Sequence, residues 1–286
     1  MKATFQMSDL GLLHYYLGLE VTQLDSGITL GQSAYAAKIL ENAGLTGCNP
    51  SFIPMEPRLK LSKESTASAV DATAYRSIVG SLRYLVNTRP DLAYSVGYVS
   101  RFMEKPTTKH LAAVKRVLRY IAGTLDYGCF YTRKEKDTHL VGFSNSDLAG
   151  DIDTRKSTTG VIYFLGKNVI TWHSQKKRSL LCPHGVWLAR LLAELKGKEK
   201  GVVKINIDNQ STVQLSKNPV FHDRSKHIDT RFQFIRECIE EGRVCVASIG
   251  TTEQLADLMT KALARERFCD LRARLGLVNL KQICKA

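Results

Sequence analysis

The chain has 286 residues, 44% hydrophobic and 24% charged, enough for two domains or one large α/β domain with the composition of an ordinary soluble globular protein. Its 41 lysines and arginines against 27 acidic residues give a net charge of +14. No apolar run approaches the ~20 residues a membrane helix needs, and the Met1–Met7 start lacks the continuous apolar stretch of a signal peptide. The expectation is therefore an intracellular protein, cytoplasmic or nuclear, neither membrane-spanning nor secreted. Its seven cysteines, odd in number and without a C-x-x-C pair, fit reduced thiols. Cys182 and His184 are close in sequence but lack the two further ligands of a zinc site. A basic excess favours nucleic acid, because neutralised phosphates release condensed counterions. Composition alone equally admits a merely soluble basic protein or one that binds anionic membranes.

In chain order, Tyr15–Val21 is rich in strand formers, Asp25-Ser26-Gly27 signals a turn and Ile28–Leu30 a return strand, so residues 5–31 read as a hairpin region. A helix over Ser33–Ala43, closed by Gly44, comes next, then a proline- and serine-rich connector over 49–68. Helices are expected over Asp71–Asn87 and Leu92–Met103. The clearest spans Thr108–Thr124, where Leu111, Val114, Leu118 and Ile121 make one apolar stripe. Lys115, Arg116 and Arg119 flank that stripe, either as a solvated face or as a phosphate-facing one.

The polar stretch Thr132–Thr138 reads as a linker, after which short strands and helices alternate, which argues for α/β. Strands are expected at His139–Asn145, Gly160–Leu165, Val169–Trp172, Lys204–Asp208 (Ile205 and Ile207 inward) and Val244–Ile249. Helices are expected at Trp187–Leu195 and Asp229–Glu240, and a last one capped by Thr251 and Gln254.

Several blocks, in order and covering nearly the whole chain, resemble the carboxy-terminal part of copia-type, long-terminal-repeat retrotransposon Pol polyproteins. Phe5–Gly11 running into Tyr16-Leu17-Gly18, Tyr75–Leu82, Thr88-Arg89-Pro90-Asp91 and His110 with Arg116–Tyr120 and Gly123-Thr124 resemble the tail of the reverse transcriptase. Ala149-Gly150-Asp151 with Arg155–Gly160, then Asp208-Asn209, Lys226–Asp229 and Gln254–Lys261, resemble its ribonuclease H domain. The resemblance implies an α/β (α+β) chain in three parts. Residues 1–131 would be a helical and hairpin, thumb- and connection-like tail. Residues 139–264 would be a ribonuclease H-like mixed sheet with flanking helices, incomplete through an internal deletion near 179–185, and residues 265–286 a carboxy-terminal tail. The polymerase aspartates of the family sit in a Tyr-x-Asp-Asp turn, and this sequence has no adjacent Asp-Asp pair. Implied partners are an RNA–DNA hybrid or duplex, gripped by Lys115, Arg116, Arg119, Arg155 and Lys156, and the remainder of the polyprotein.

Ribonuclease H chemistry uses two Mg²⁺ ions ~4 Å apart, held by four carboxylates. The resemblance places two of these, as catalytic and metal-binding residues, at Asp208 on a strand end and Asp257 early in a capped helix. The first catalytic aspartate aligns with Asn145, which offers no charge; Asp147, two residues on, would share its face if the strand continued. The family's glutamate falls in the shortened stretch between Gln175 and Trp187, where very roughly twenty residues (the usual length of a strand plus a helix) are missing. No acidic residue between Asp153 and Glu194 replaces it. The expectation is a degenerate fragment, a pseudoenzyme that binds hybrid or duplex without cutting, its Mg²⁺ an ancestral cofactor. Two alternatives remain: an active nuclease using Asp147, Asp208 and Asp257, and a host-repurposed binding protein.

Overall fold

The structure, a computed structural model, describes residues 11–133, 139–147, 150–176, 181–197, 201–208 and 236–283. The block before Gly11, the Lys226–Asp229 block and the expected helix start at Asp229 lie outside them.

The hairpin forms where strand formers flank a turn: β1 (Tyr15–Tyr16) and β2 (Leu19–Gln23) run antiparallel, and β2 pairs with β3 (Gly27–Gly31). Helix α1 (Ser33–Asn42) stops at Gly44, whose φ of +64° a side chain would resist. Helix α2 (Ala72–Leu85) starts where the Asp71 carboxylate accepts from the Thr73 amide at 2.8 Å, and it buries Tyr75, Val79, Leu82 and Leu85. The helix expected over 92–103 is divided into a 3₁₀ turn at Pro90–Leu92, α3 (Ala93–Val99) and a second 3₁₀ turn at Ser100–Phe102. Helix α4 (Thr108–Ala122) buries Val114, Leu118 and Ile121 of the expected stripe and leaves Leu111 half-buried. Strand β4 (Tyr127–Thr132) then pairs with β3.

Strands β5 (Leu140–Ser146), β6 (Thr158–Leu165) and β7 (Asn168–Lys176) form an antiparallel meander. Helix α5 (Leu181–Lys196) follows, and β8 (Val203–Ile207) and β9 (Val244–Ser248) join parallel, giving a mixed sheet ordered β7-β6-β5-β8-β9. The shortening expected near 179–185 leaves both flanking elements standing, since β7 stays paired to Lys176, four residues beyond its expected end. The free edge of β7 is covered as well. Helix α3 passes it at Gly97, where a Cβ would lie 3.5 Å from the Ser174 carbonyl.

Two further expectations are corrected. Thr251 caps no α-helix; 3₁₀ turns occupy Thr251–Glu253 and Leu255–Met259. Gln254 between them is fully buried, so both ends of its amide need partners: Oε1 accepts from the Ala256 amide at 3.1 Å, and Nε2 donates to the Ser144 carbonyl at 2.9 Å. The segment read as a tail forms helix α6 (Arg265–Arg274) and strand β10 (Leu277–Asn279), and β10 completes a second sheet ordered β1-β2-β3-β4-β10. Phe268, Leu271, Leu275 and Leu277 are buried there.

These returns make the main core continuous. It runs from Tyr75, Val79 and Leu118 to Ile162 and Phe164 on one face of β6, and on to Leu258, Met259 and Leu271. Tyr163, alternating to the other face, belongs to a smaller cluster with Leu140, Val186, Ala189 and Ile205 under α5.

Several polar groups inside the main core form a matched network. Arg89 is 2% exposed and makes a two-pronged bond to Asp91 at 2.9 and 2.8 Å while donating to the Thr124 carbonyl and hydroxyl. Tyr120 donates to the same Asp91 at 2.6 Å, and Arg272 of α6 reaches the Tyr120 hydroxyl at 2.9 Å. His110, fully buried and stacked on Phe102, accepts at Nδ1 from the Thr107 amide at 3.0 Å. That puts its proton on Nε2, facing the Ser62 carbonyl at 3.0 Å.

Burial lowers the His110 pKa below its ordinary value, against the opposing pull of the Ser62 carbonyl and Asp153. An imidazole whose folded pKa lies below its unfolded one contributes full stability above about pH 6.5 and loses it as pH falls toward and through the folded value. His173 and His184 are lowered in the same sense. The midpoint of thermal unfolding, followed by circular dichroism, is expected to fall between pH 7 and 5, with a shallower slope in His110→Gln. An unchanged slope in that variant would contradict the assignment.

Candidate functional site

Asn145, near the end of β5, pairs with Gly160 on one side. On the other side Ser144 is in register with Ile207 of parallel β8. Half-buried Asp208 follows directly on the end of β8 at Ile207, at the carboxyl edge of the sheet. Asp257 reaches this edge on the 3₁₀ turn Leu255–Met259, which lies directly over Gly160. A Cβ at 160 would sit 2.6 Å from the Met259 Cβ and 2.9 Å from the Ala256 carbonyl oxygen. Two hydrogen bonds pin this region to the sheet, Gln254 Nε2 to the Ser144 carbonyl and Ser174 Oγ to the Met259 carbonyl at 2.7 Å. As a result the Asn145 amide donates to Asp257 Oδ1 at 2.6 Å.

The Asp257 side chain is 4% exposed and is balanced from within the protein. Lys261 Nζ lies 2.8 Å from Oδ1 and an Arg267 guanidinium nitrogen 3.9 Å from Oδ2. A buried carboxylate needs such partners, and here one amide and two cations supply them.

Asp147 is engaged elsewhere. Strand β5 ends at Ser146, and the Asp147 carboxylate accepts from the Thr158 amide at the start of β6. Burial raises its pKa, opposed by the Thr158 hydrogen bonds and Arg101. Among the described residues, no group of three or more His, Cys, Asp or Glu is placed to hold a metal ion.

The expected basic contacts divide into two tethered residues and three exposed ones. Arg116 is bonded to Glu56 at 2.6 Å and Arg119 Nε to the Asn49 carbonyl at 2.7 Å, so both tie α4 to the preceding connector, whereas Lys115 is exposed. Arg155 and Lys156 are exposed on the β5–β6 loop, Arg155 with a left-handed φ of +53°. Asp151 organises that loop. It accepts from the Thr154 amide and hydroxyl at 2.8 Å each and pairs with Lys176 at 2.7 Å and Arg101 at 3.1 Å. Burial works against its charge, yet the Lys176 and Thr154 bonds hold its pKa at about 2.

Sequence reasoning missed Lys261, Arg267 and Gln254 as neighbours of the carboxylates. Lys261 follows Asp257 by four residues, a pairing distance readable in advance. Arg267 carries no such signal, because its position depends on how α6 folds back.

Residues 1–57 match the reverse transcriptase (RNA-dependent DNA polymerase) family. The chain is 37% identical over 294 residues to the retrovirus-related Pol polyprotein from transposon RE1 of Arabidopsis thaliana, a match covering 98% of this chain and 20% of that one. It is 43% identical over 177 residues to an uncharacterized mitochondrial protein of the same plant, covering 62% of this chain and 73% of the relative. Among solved structures, the foamy viral protease-reverse transcriptase in complex with dsDNA aligns over 83% of this chain and 44% of its own, at 15% identity and a TM-score of 0.47.

Proposed function

The chain belongs to the copia-type family of retrotransposon Pol polyproteins, and on that premise we propose that it grips an RNA–DNA hybrid or duplex without cutting it. The observation that carries this reading is the state of Asp257, whose carboxylate is bonded to the Asn145 amide and neutralised by Lys261 and Arg267. A pair of Mg²⁺ ions requires clustered charged oxygens. Of the two matching carboxylates, Asp257 already has two positive charges beside it, Lys261 and Arg267. These residues do not fit the ion pair, so no cleavage step follows from them. The rest of the polyprotein is the second partner proposed, since the chain spans about a fifth of the length of the Pol polyproteins it matches.

Binding would be electrostatic, led by the exposed Lys115, Arg155 and Lys156 within a chain of net charge +14. Fluorescence anisotropy with a labelled RNA–DNA hybrid tests it. Affinity is expected to fall linearly in log–log form with salt, and Arg155→Ala with Lys156→Ala to flatten the slope by about 1 for each phosphate no longer neutralised. No binding even at low salt would overturn the proposal.

A further inference from the structure

His173 and His184 meet on the face of β7 opposite Trp172, one on the strand and one in the first turn of α5. Their ring centroids lie 5.1 Å apart with planes at 84°. Two imidazoles bound to one tetrahedral ion at about 2.1 Å place their centroids roughly 5.3 Å apart, so the observed spacing leaves room for an ion shared between the two rings. The neighbours fix the His184 ring. The His184 ring stacks on Trp187 and tilts against Tyr163, both at 5.8 Å, and its Nε2 lies 3.4 Å from the Thr171 hydroxyl. Each histidine is anchored by a different element, so the separation is set by the packing of α5 on the sheet rather than by one flexible segment.

We propose that His173 and His184 form a two-histidine site for a divalent transition ion of the zinc, nickel or copper class, its remaining positions filled by water. The ligands come from either side of the connection between β7 and α5, so a bound ion would join the strand to the helix and stabilise the folded chain. This site shares no residue with the Asp257 cluster, and the proposal stands whether or not the chain binds nucleic acid.

The test uses the full chain with ZnCl₂ and CuCl₂. Zinc at about a hundred times its Kd is expected to raise Tm by several degrees, reversibly with EDTA. His173→Ala and His184→Ala should each lose at least tenfold in affinity, while His14→Ala, at an exposed position, should bind as the parent does. Should an alanine variant fail to fold, electron paramagnetic resonance of the Cu²⁺-loaded parent gives a separate answer, with two nitrogen ligands expected. Unchanged binding in both variants, no thermal shift in the parent, or a copper signal with fewer than two nitrogens would overturn the proposal.

Discussion

Arg89→Met is expected to destabilise the fold by about 3–5 kcal/mol, the usual cost of stranding one member of a buried ion pair. The Asp91 side chain is wholly inaccessible, and without the guanidinium its only remaining side-chain donor among the described residues is Tyr120. Thr124 loses two bonds at once, and the anchor of Arg272 on Tyr120 is disturbed. Adding Asp91→Leu should recover much of the loss, because an apolar pair of similar volume needs no matching charge. Urea unfolding followed by circular dichroism measures both effects. A loss below about 1 kcal/mol in the single variant, or no recovery in the double, would show that the network is not buried as described.

Gly160→Ala is expected to cost about 2–3 kcal/mol by overpacking and to lower Tm by roughly 5–10 °C. The added methyl would meet the Met259 Cβ at 2.6 Å, the Thr260 Cγ2 at 2.8 Å and the Ala256 carbonyl at 2.9 Å. The Met259 Cβ and the Ala256 carbonyl are stem and backbone atoms of one turn, which cannot swing aside, and the Thr260 methyl is itself buried. Relief must come from lifting Leu255–Met259 off the sheet, which also separates Asp257 from Asn145. Thermal unfolding within a degree of the parent would mean that this turn sits farther from β6 than described.

Much of this fold was legible in the sequence. The α4 stripe, the hairpin turn at Asp25-Ser26 and the alternating strands of the mixed sheet all follow from apolar periodicity and turn residues, signals local to each segment. What escaped depended on distant partners. Helix α6, Arg-Glu-Arg-Phe-Cys-Asp-Leu-Arg-Ala-Arg, reads as a polar tail, because Phe268 and Leu271 are its only fully buried residues. Several of its arginines have partners outside the helix: Arg272 lies over Tyr127, while Arg267 and Arg274 reach the Thr252 carbonyl. Strand β7 outran its expected end at Trp172 because His173–Lys176 is polar, yet Lys176 is held there by Asp151.

The candidate site divides along the same line. Asp208 and Asp257 were proposed from motif order, and the missing charge at Asn145 was read from the residue itself. That Asn145 would donate to Asp257, with Lys261 on the same oxygen, needed the three-dimensional placement of a 3₁₀ turn over Gly160. Asp147 shows the limit of alternation. Its expected direction assumed a continuing strand, and β5 ends one residue earlier.

We propose that an internally neutralised Asp257 leaves the mixed sheet without nuclease chemistry. Incubating the full chain with an end-labelled RNA–DNA hybrid, in Mg²⁺ and separately in Mn²⁺, tests it most directly. No cleavage above the metal-only control is the expected result. Metal-dependent cutting of the RNA strand that disappears in Asp208→Asn would contradict the account.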